Sequence, residues 1–368
     1  MANLFRSGHA GAPDWRAAAR SCLEQLGAGP GNLGFLYVTD HFSSDLAEIH
    51  AYFEEHTGVP HWTGTTGIGI CAGGREYMDE PAIAVMVGDF PEGSFSMFGG
   101  LNGPALQEAD LQCGEAPASI AIVHGTPLGG DIAQQIRGLA KRTESGFLVG
   151  GLASSRGENL VLADGVYGNG FAGVAFSDSV AVATRLTQGC SPIGAVREVT
   201  GAQNNIVLTL DGQPALEALR ADVGITANED LAQLGGQIFV GLSVSGSDTG
   251  DYLVRNLIGI DPGNKLIAVG DIVRKGQRLH FCKRDSKTAR ADMTRMLDSI
   301  REGLYTPPRG ALYYSCLGRT GALFGGESAE LRMIRESLGD VPLAGFFGNG
   351  EISHNRLYGY TGVLTLFI

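Results

Sequence analysis

The sequence predicts a mixed α/β (α+β) fold: two related domains built from repeated strand–turn–helix–strand units with mixed β-sheets. Three observations carry that expectation. An apolar run ending in a small polar turn, then a helix-period stretch and a Gly-bearing turn, occurs three times along the chain. Spacing between these copies is irregular, which excludes a solenoid of fixed period. The 56 glycines recur at the ends of apolar runs and form no low-complexity block, as tight turns and close backbone approach require.

Residues 1–32 read as a leader with one short helix, residues 15–26, carrying Leu23 and Leu26 on one face before the Gly/Pro cluster at Gly27 to Gly31. The first copy opens with the apolar residues 34–38, a buried strand that ends at Thr39, Asp40 and His41. Asp45 stands where an N-cap belongs, with Glu48 three residues on. Leu46, Ile49 and Phe53 supply the helix face, and Gly58 stops it. Residues 59–67 read as a Gly/Thr turn, with a strand at 82–87.

The second copy runs from a strand at 119–123 through His124, Gly125 and Thr126 to a cap at Asp131. Its helix face is Ile132, Ile136 and Leu139, its turn is 147–155, and strands follow at 161–162 and 171–176. In the third, Ala311 to Tyr314 stop at Ser315 and Cys316, where a Gly-bearing loop carries Arg319. Ser328 is its cap and Leu331, Ile334 and Leu338 its helix face. The chain returns through Leu343 to a second Gly-rich turn, 345–351, and closes with apolar residues up to Ile368.

Between the second and third copies lies a β-rich region. Strands are expected at 180–186, 195–200 and 206–210, and Pro214 suits the first turn of a helix at 215–221. A charged helical patch follows. Short strands at hairpin spacing come next, 238–244, 253–260, 266–273 and 277–282, then a helix at 288–300 faced by Met293, Met296, Leu297 and Ile300. The boundary between two domains, 33–212 and 213–368, falls at the Asp211–Pro214 turn.

Composition narrows the function classes. A formal charge of −12 with no Lys/Arg run excludes a nucleic-acid surface. No apolar run reaches the ~18 residues of a membrane span, and the N-terminus lacks the apolar core of a secretory signal. A cytoplasmic protein is expected. The six cysteines are scattered without a C-x-x-C pair, as reduced thiols would be. No phosphate-binding P-loop, H-E-x-x-H or G-x-S-x-G motif occurs, and the Gly-rich residues 67–74 miss the dinucleotide spacing.

Several stretches resemble the FIST-domain proteins: Gly189-Cys190-Ser191-Pro192, Leu210-Asp211-Gly212-Gln213-Pro214, Val254-Arg255-Asn256-Leu257, Ser315-Cys316-Leu317-Gly318-Arg319 and Gly345-Phe346-Phe347-Gly348-Asn349-Gly350-Glu351-Ile352. The resemblance covers nearly the whole chain after the leader; the last two motifs are its most specific parts. It implies paired N- and C-terminal FIST domains forming a sensory module for a small ligand, with amino acids or their derivatives suggested. One branch of that family binds haem and senses nitric oxide. Larger relatives fuse the module to signalling parts, so here a signalling partner or ligand-linked assembly would carry the output.

Cys316, Gly318, Arg319, Phe347, Asn349 and Glu351 are the candidate ligand-binding residues of the third copy. Thr65, Thr66, Ser154 and Ser155 occupy the matching turns of the first two. Arg319 in its Gly-flanked loop suits a two-pronged clamp on a ligand carboxylate, or else an ion pair with Glu327 or Glu330. Cys316 sits at the strand end that in the other copies holds Asp40 and His124, and lines the crevice. Asn349 and Glu351 offer contacts for an amine and a carboxylate, although Asn349 equally suits a left-handed turn. The hydroxyls at 65, 66, 154 and 155 suit a polar ligand or their own backbone. No cofactor and no metal is required. Haem, on His41, His61, His124 or His354, is the alternative, and an enzyme using a Cys316 thiolate is a second alternative.

Overall fold

The computed structural model describes residues 5–127, 130–225, 237–244 and 252–368, and is 25% helix and 44% strand in mixed sheets, the α+β composition expected. The chain divides into two compact units, residues 1–187 with 293–368, and residues 188–292. The three repeated copies lie in the first, except that the end of the third copy's first strand at Gln188 and the start of its helix at residues 286–292 fall in the second. No helix among the described residues is long and apolar enough to cross a membrane.

The first copy comprises β1 (Phe5–Gly11), α1 (Trp15–Leu26), β2 (Leu33–Thr39), α2 (Leu46–Thr57), β3 (His61–Gly67), the hairpin β4 (Gly69–Ala72) and β5 (Arg75–Met78), and β6 (Ala82–Gly88). The second comprises β7 (Phe95–Leu101), α3 (Gly103–Glu108), a small hairpin β8 (Gln112–Cys113) and β9 (Ala116–Pro117), β10 (Ile120–Gly125), α4 (Ile132–Ala140) and β11 (Phe147–Leu152). It finishes with the hairpin β12 (Val161–Ala163) and β13 (Val166–Tyr167), and β14 (Phe171–Phe176). The third opens with β15 (Val182–Gln188).

Here the chain runs into the second unit: β16 (Cys190–Gln203), β17 (Ile206–Leu210), β18 (Gln213–Pro214), α5 (Ala215–Val223), β19 (Ile238–Ser243), β20 (Tyr252–Asp261), β21 (Leu266–Val269) and β22 (Arg278–Arg284). Strand order β16-β22-β19-β20-β21-β17 is antiparallel throughout, and β17 pairs back onto β16. Closure removes the exposed edges that strands of this length would otherwise present. Ala215, Leu216, Ala218 and Leu219 of α5 bury with Val240, Leu279 and Phe281 of the barrel. The charged helical patch expected before Ile238 falls mainly outside the described residues.

The third copy resumes with α6 (Ser286–Glu302), β23 (Gly310–Cys316), α7 (Gly321–Phe324), α8 (Ala329–Leu338), β24 (Leu343–Gly348), the hairpin β25 (Glu351–His354) and β26 (Arg356–Tyr358), and β27 (Thr361–Phe367). Its sheet order, β15-β27-β23-β24, matches β1-β6-β2-β3 and β7-β14-β10-β11, each with one central parallel pair. Every sheet is then completed by a hairpin from a different copy. Strands β12 and β13 extend β3, β25 and β26 extend β11, and β4 and β5 extend β24. The exchange runs once around the three, so no copy completes its sheet alone.

Four sequence expectations change. Residues 5–11 are not leader but an edge strand paired with β6, and α1 packs Ala18, Ala19 and Cys22 into the core. The Gly-rich segments read as turns are buried parallel strands. Gly64, Gly150 and Gly345 stand opposite Leu36, Val123 and Tyr313, and a Cβ on any of them would run into that partner's carbonyl oxygen. Glycine is there for close approach, not for chain reversal. Asp131 caps α4 through the Gln134 amide at 2.9 Å, whereas Asp45 makes no capping bond because a 3₁₀ turn, Asp40–Asp45, precedes α2. Ser328, at φ 53°, turns its hydroxyl to the Glu76 amide instead of capping α8.

Where the three copies meet, equivalent residues converge. Tyr37, His124 and Tyr314 each follow the residue opposite a conformationally required glycine. The Tyr37 hydroxyl lies 3.2 Å from His124 Nε2 and 3.3 Å from the Tyr314 hydroxyl. Thr63 Oγ1 meets His124 Nδ1 at 3.2 Å, and the Phe346 ring stacks on Tyr37. Burial pushes His124 down to about 3, so it stays neutral.

Candidate functional site

Strand alternation decides which side chains β23 offers. Tyr314 faces the convergence point, while Tyr313 and Ser315 project the other way, toward the first turn of α8. Glu330 receives them there. Its Oε1 accepts from the Tyr313 hydroxyl at 2.6 Å and from Arg319 Nε at 2.9 Å, and also from Arg319 Nη2; its Oε2 accepts from Ser315 Oγ at 3.1 Å. Arg319 Nη1 reaches the Tyr360 carbonyl at 3.4 Å, and the guanidinium carbon lies 5.0 Å from the Phe324 ring centroid. Arg319 and Glu330 are both 0% exposed. Burial alone would pull the Arg319 charge down, but the Glu330 carboxylate outweighs it and holds the guanidinium charged.

Two further buried acids border this pair. Glu351, at the start of β25, has Oε2 held by the Thr361 hydroxyl at 2.7 Å and amide at 3.2 Å, while its Oε1 is buried without a hydrogen-bond partner. Burial pushes its carboxyl up to about 8, only partly offset by Thr361 and Arg319. Glu76 arrives on β5, in the hairpin donated by the first copy; burial and then the Glu330 charge push it up to about 7, and its Oε1 is also unpartnered. The cluster therefore holds more buried acid than the Arg319 charge neutralises, and two of its carboxyls retain protons near neutrality.

Cys316 ends β23 beside Glu351. Burial, then the Glu351 charge, push its thiol up to about 12. That is the reverse of the depressed value an attacking thiolate needs. By register it stands level with Thr39 and Thr126, not with Asp40 and His124 as the sequence suggested. Cys316, Leu317 and Gly318 are half-buried, and Cys316 lies close enough to the buried Glu351 to feel its charge.

The expected residues divide into two groups and a remainder. Cys316, Gly318, Arg319 and Glu351 come together here. Ser154, Phe347 and Asn349 form a junction between copies: Ser154 Oγ donates to the Phe347 carbonyl at 2.5 Å and accepts from the Ile68 amide at 2.9 Å, and Asn349 Nδ2 reaches the Ala153 carbonyl at 3.4 Å. Thr65 and Thr66 bond to the backbone of Leu160, and Ser155 to the Gly157 amide. The Arg319 pairing with Glu330 is one of the two alternatives the sequence left open. Glu76 and Thr361 were not foreseen, since both reach the cluster through hairpin exchange and strand return, without a local pattern.

Residues 32–213 match the FIST N domain and residues 215–354 the FIST C domain. The chain belongs to the FIST family. It is 30% identical over 376 residues to the uncharacterized protein Rv0628c of Mycobacterium tuberculosis strain H37Rv, covering 97% of each chain. It is 32% identical over 233 residues to the uncharacterized protein Mb0898c of Mycobacterium bovis, covering 60% of each. FIST domains are associated with sensory signal transduction. The two domain matches cut across both compact units, because the barrel sits in the chain inside the third copy.

Of the four histidines considered for haem, His124 does not fit it. His124 is hydrogen-bonded at both ring nitrogens and enclosed by Tyr37, Tyr314 and Phe346, which leaves no plane for a porphyrin. His61 Nδ1 pairs with Asp164 at 2.8 Å, His41 sits beside Asp40, and His354 Nδ1 meets Asn355 at 3.1 Å.

Proposed function

We propose that this FIST protein is a sensory module binding an amino acid or a derivative through the ligand's amine, at Glu351. The supporting observation is the buried, unpartnered Oε1 of Glu351 beside the half-buried loop at Cys316 and Gly318. Arg319 spends its guanidinium on Glu330, so it is not poised to clamp a ligand carboxylate. A ligand ammonium reaching Oε1 replaces the carboxyl proton and forms a charge-assisted hydrogen bond in a water-poor setting. Because Glu351 and Thr361 begin β25 and β27, occupancy favours whichever state draws those strands and the Cys316 loop together. A signalling partner would read that state. The six free cysteines agree with a reducing, cytoplasmic setting.

Thermal unfolding against the amino acids, their decarboxylated amines and their N-acetyl derivatives tests the reading. A ligand at about 100 times its dissociation constant adds roughly 2.7 kcal/mol and raises the midpoint by several degrees. Amino acids or amines should produce that shift, N-acetyl forms should not, and Glu351→Gln should lose it while remaining folded. Equal shifts from the N-acetyl forms, or an undiminished response in Glu351→Gln, would overturn it.

A further inference from the structure

A cleft of about 330 Å³ opens between α8, β1, the β4–β5 turn and the α8–β24 connection. Its floor is apolar, with Leu331, Ile334 and Leu338 from one face of α8 and Val341 beyond it. Its rim is polar. His9 of β1 uses Nδ1 on the Tyr77 hydroxyl at 2.6 Å and turns Nε2 toward Gly73. Arg335 lays its aliphatic stem across Gly74 and engages Asp340 through Nε alone at 2.6 Å. The turn has room for this because Gly73 and Gly74 take φ +53° and +86°, the two-glycine turn of a tight hairpin.

We infer that this cleft is a second binding site, for a small monocarboxylate with a branched or aromatic apolar body, coupled through α8 to the buried charge cluster. The apolar floor takes the body, as small-molecule pockets of this size do. The Arg335 guanidinium and His9 imidazole take the carboxylate. Burial and then Arg75 pull His9 below its ordinary value, which leaves a neutral imidazole for hydrogen bonding. Coupling follows from shared elements. Helix α8 presents Ile334 and Leu338 to the cleft and Glu330 to Arg319, and Glu76 lies two residues beyond Gly74. A ligand that tightens α8 against the hairpin moves both carboxyls together.

Phenylacetate and 4-methylpentanoate are the probes, with their neutral amides as controls, titrated by calorimetry onto wild type, Arg335→Ala and Glu351→Gln. Arg335 is exposed and Glu351 lies outside the cleft, so neither variant disturbs its floor. Saturable binding of at least one carboxylate is expected, weakened about tenfold in Arg335→Ala, which a lost charge-assisted bond implies, and retained in Glu351→Gln. That last result separates this site from the amine site, since the probes carry no amine. Saturating probe should also change the labelling rate of Cys316 severalfold in wild type. No binding at about 10 mM, equal binding of amide and carboxylate, or equal affinity in Arg335→Ala overturns the site. Binding with an unchanged Cys316 rate overturns the coupling.

Discussion

At the end of β2 the chain meets Asp40, and at the end of β23 it meets Cys316 beside Glu351; the same frame serves two different chemistries. Asp40 takes Arg156 Nε at 2.8 Å, Nη2 at 2.6 Å and the Arg156 amide at 2.9 Å, while Arg156 Nη1 holds Asp79 at 2.7 Å. That network reaches the surface through Arg156, whose side chain is 52% exposed, while the Asp40 side chain beneath it is 4% exposed, and each acid in it meets a cation. In the third copy the guanidinium is fully buried, and two neighbouring carboxyls keep an oxygen unpartnered. Equal topology does not make equal sites. What separates the two is desolvation without full pairing.

The largest break in that contrast is expected from Glu330→Ala, which strands the buried Arg319 charge and should cost about 3–5 kcal/mol, read as a fall in the denaturant midpoint. If the loss resembles that of a surface pair, the cluster is wetter than its burial indicates. Gly345→Ala should cost about 1–3 kcal/mol or more through overpacking. Gly64→Ala and Gly150→Ala should do the same, since the frame is common to all three copies; one tolerant position would break the equivalence.

pH sharpens the comparison because the signs oppose. Glu351 and Glu76 are raised above their ordinary 4.5, so their contribution is full below that value and lost as pH rises through about 7 to 8. For Asp40, burial raises the carboxyl but the Arg156 hydrogen bonds more than reverse it, so its contribution is present above the ordinary 3.8 and lost as pH falls below it. Stability should therefore decline from pH 5 to 8.5 in wild type, with a shallower slope in Glu351→Gln, and decline again into acid with a shallower slope in Asp40→Asn. The smallest effect belongs to Asp79→Asn at neutral pH, about 1 kcal/mol or less, since Asp79 and Arg156 are both exposed and such pairs are screened and their side chains mobile.

Sequence periodicity reached the helices of the three copies because their apolar faces are local: Leu46, Ile49 and Phe53, or Leu331 and Ile334, are buried as their spacing indicates. It missed β1, whose residues FRSGHAG show no alternation, and it took β3, β11 and β24 for turns because their glycines look like breakers. Cys316, Arg319 and Glu351 were visible as a cluster of chemistry-bearing residues near two strand ends. Which partner Arg319 takes was not, because burial of Glu330 depends on the packing of α8. Glu76 gave no signal at all; it is brought in by a hairpin exchanged from 240 residues earlier in the chain, Glu76 to Cys316 by number.

The most direct test of the account is the titration of the Glu351 side-chain carboxyl, followed by carbon-13 NMR and assigned by its loss in Glu351→Gln. A midpoint raised to about 8 is the result the buried, half-partnered carboxyl predicts. A midpoint in the ordinary carboxylate range would contradict it, showing that water already satisfies Oε1 and that Glu351 offers a ligand amine nothing the solvent does not.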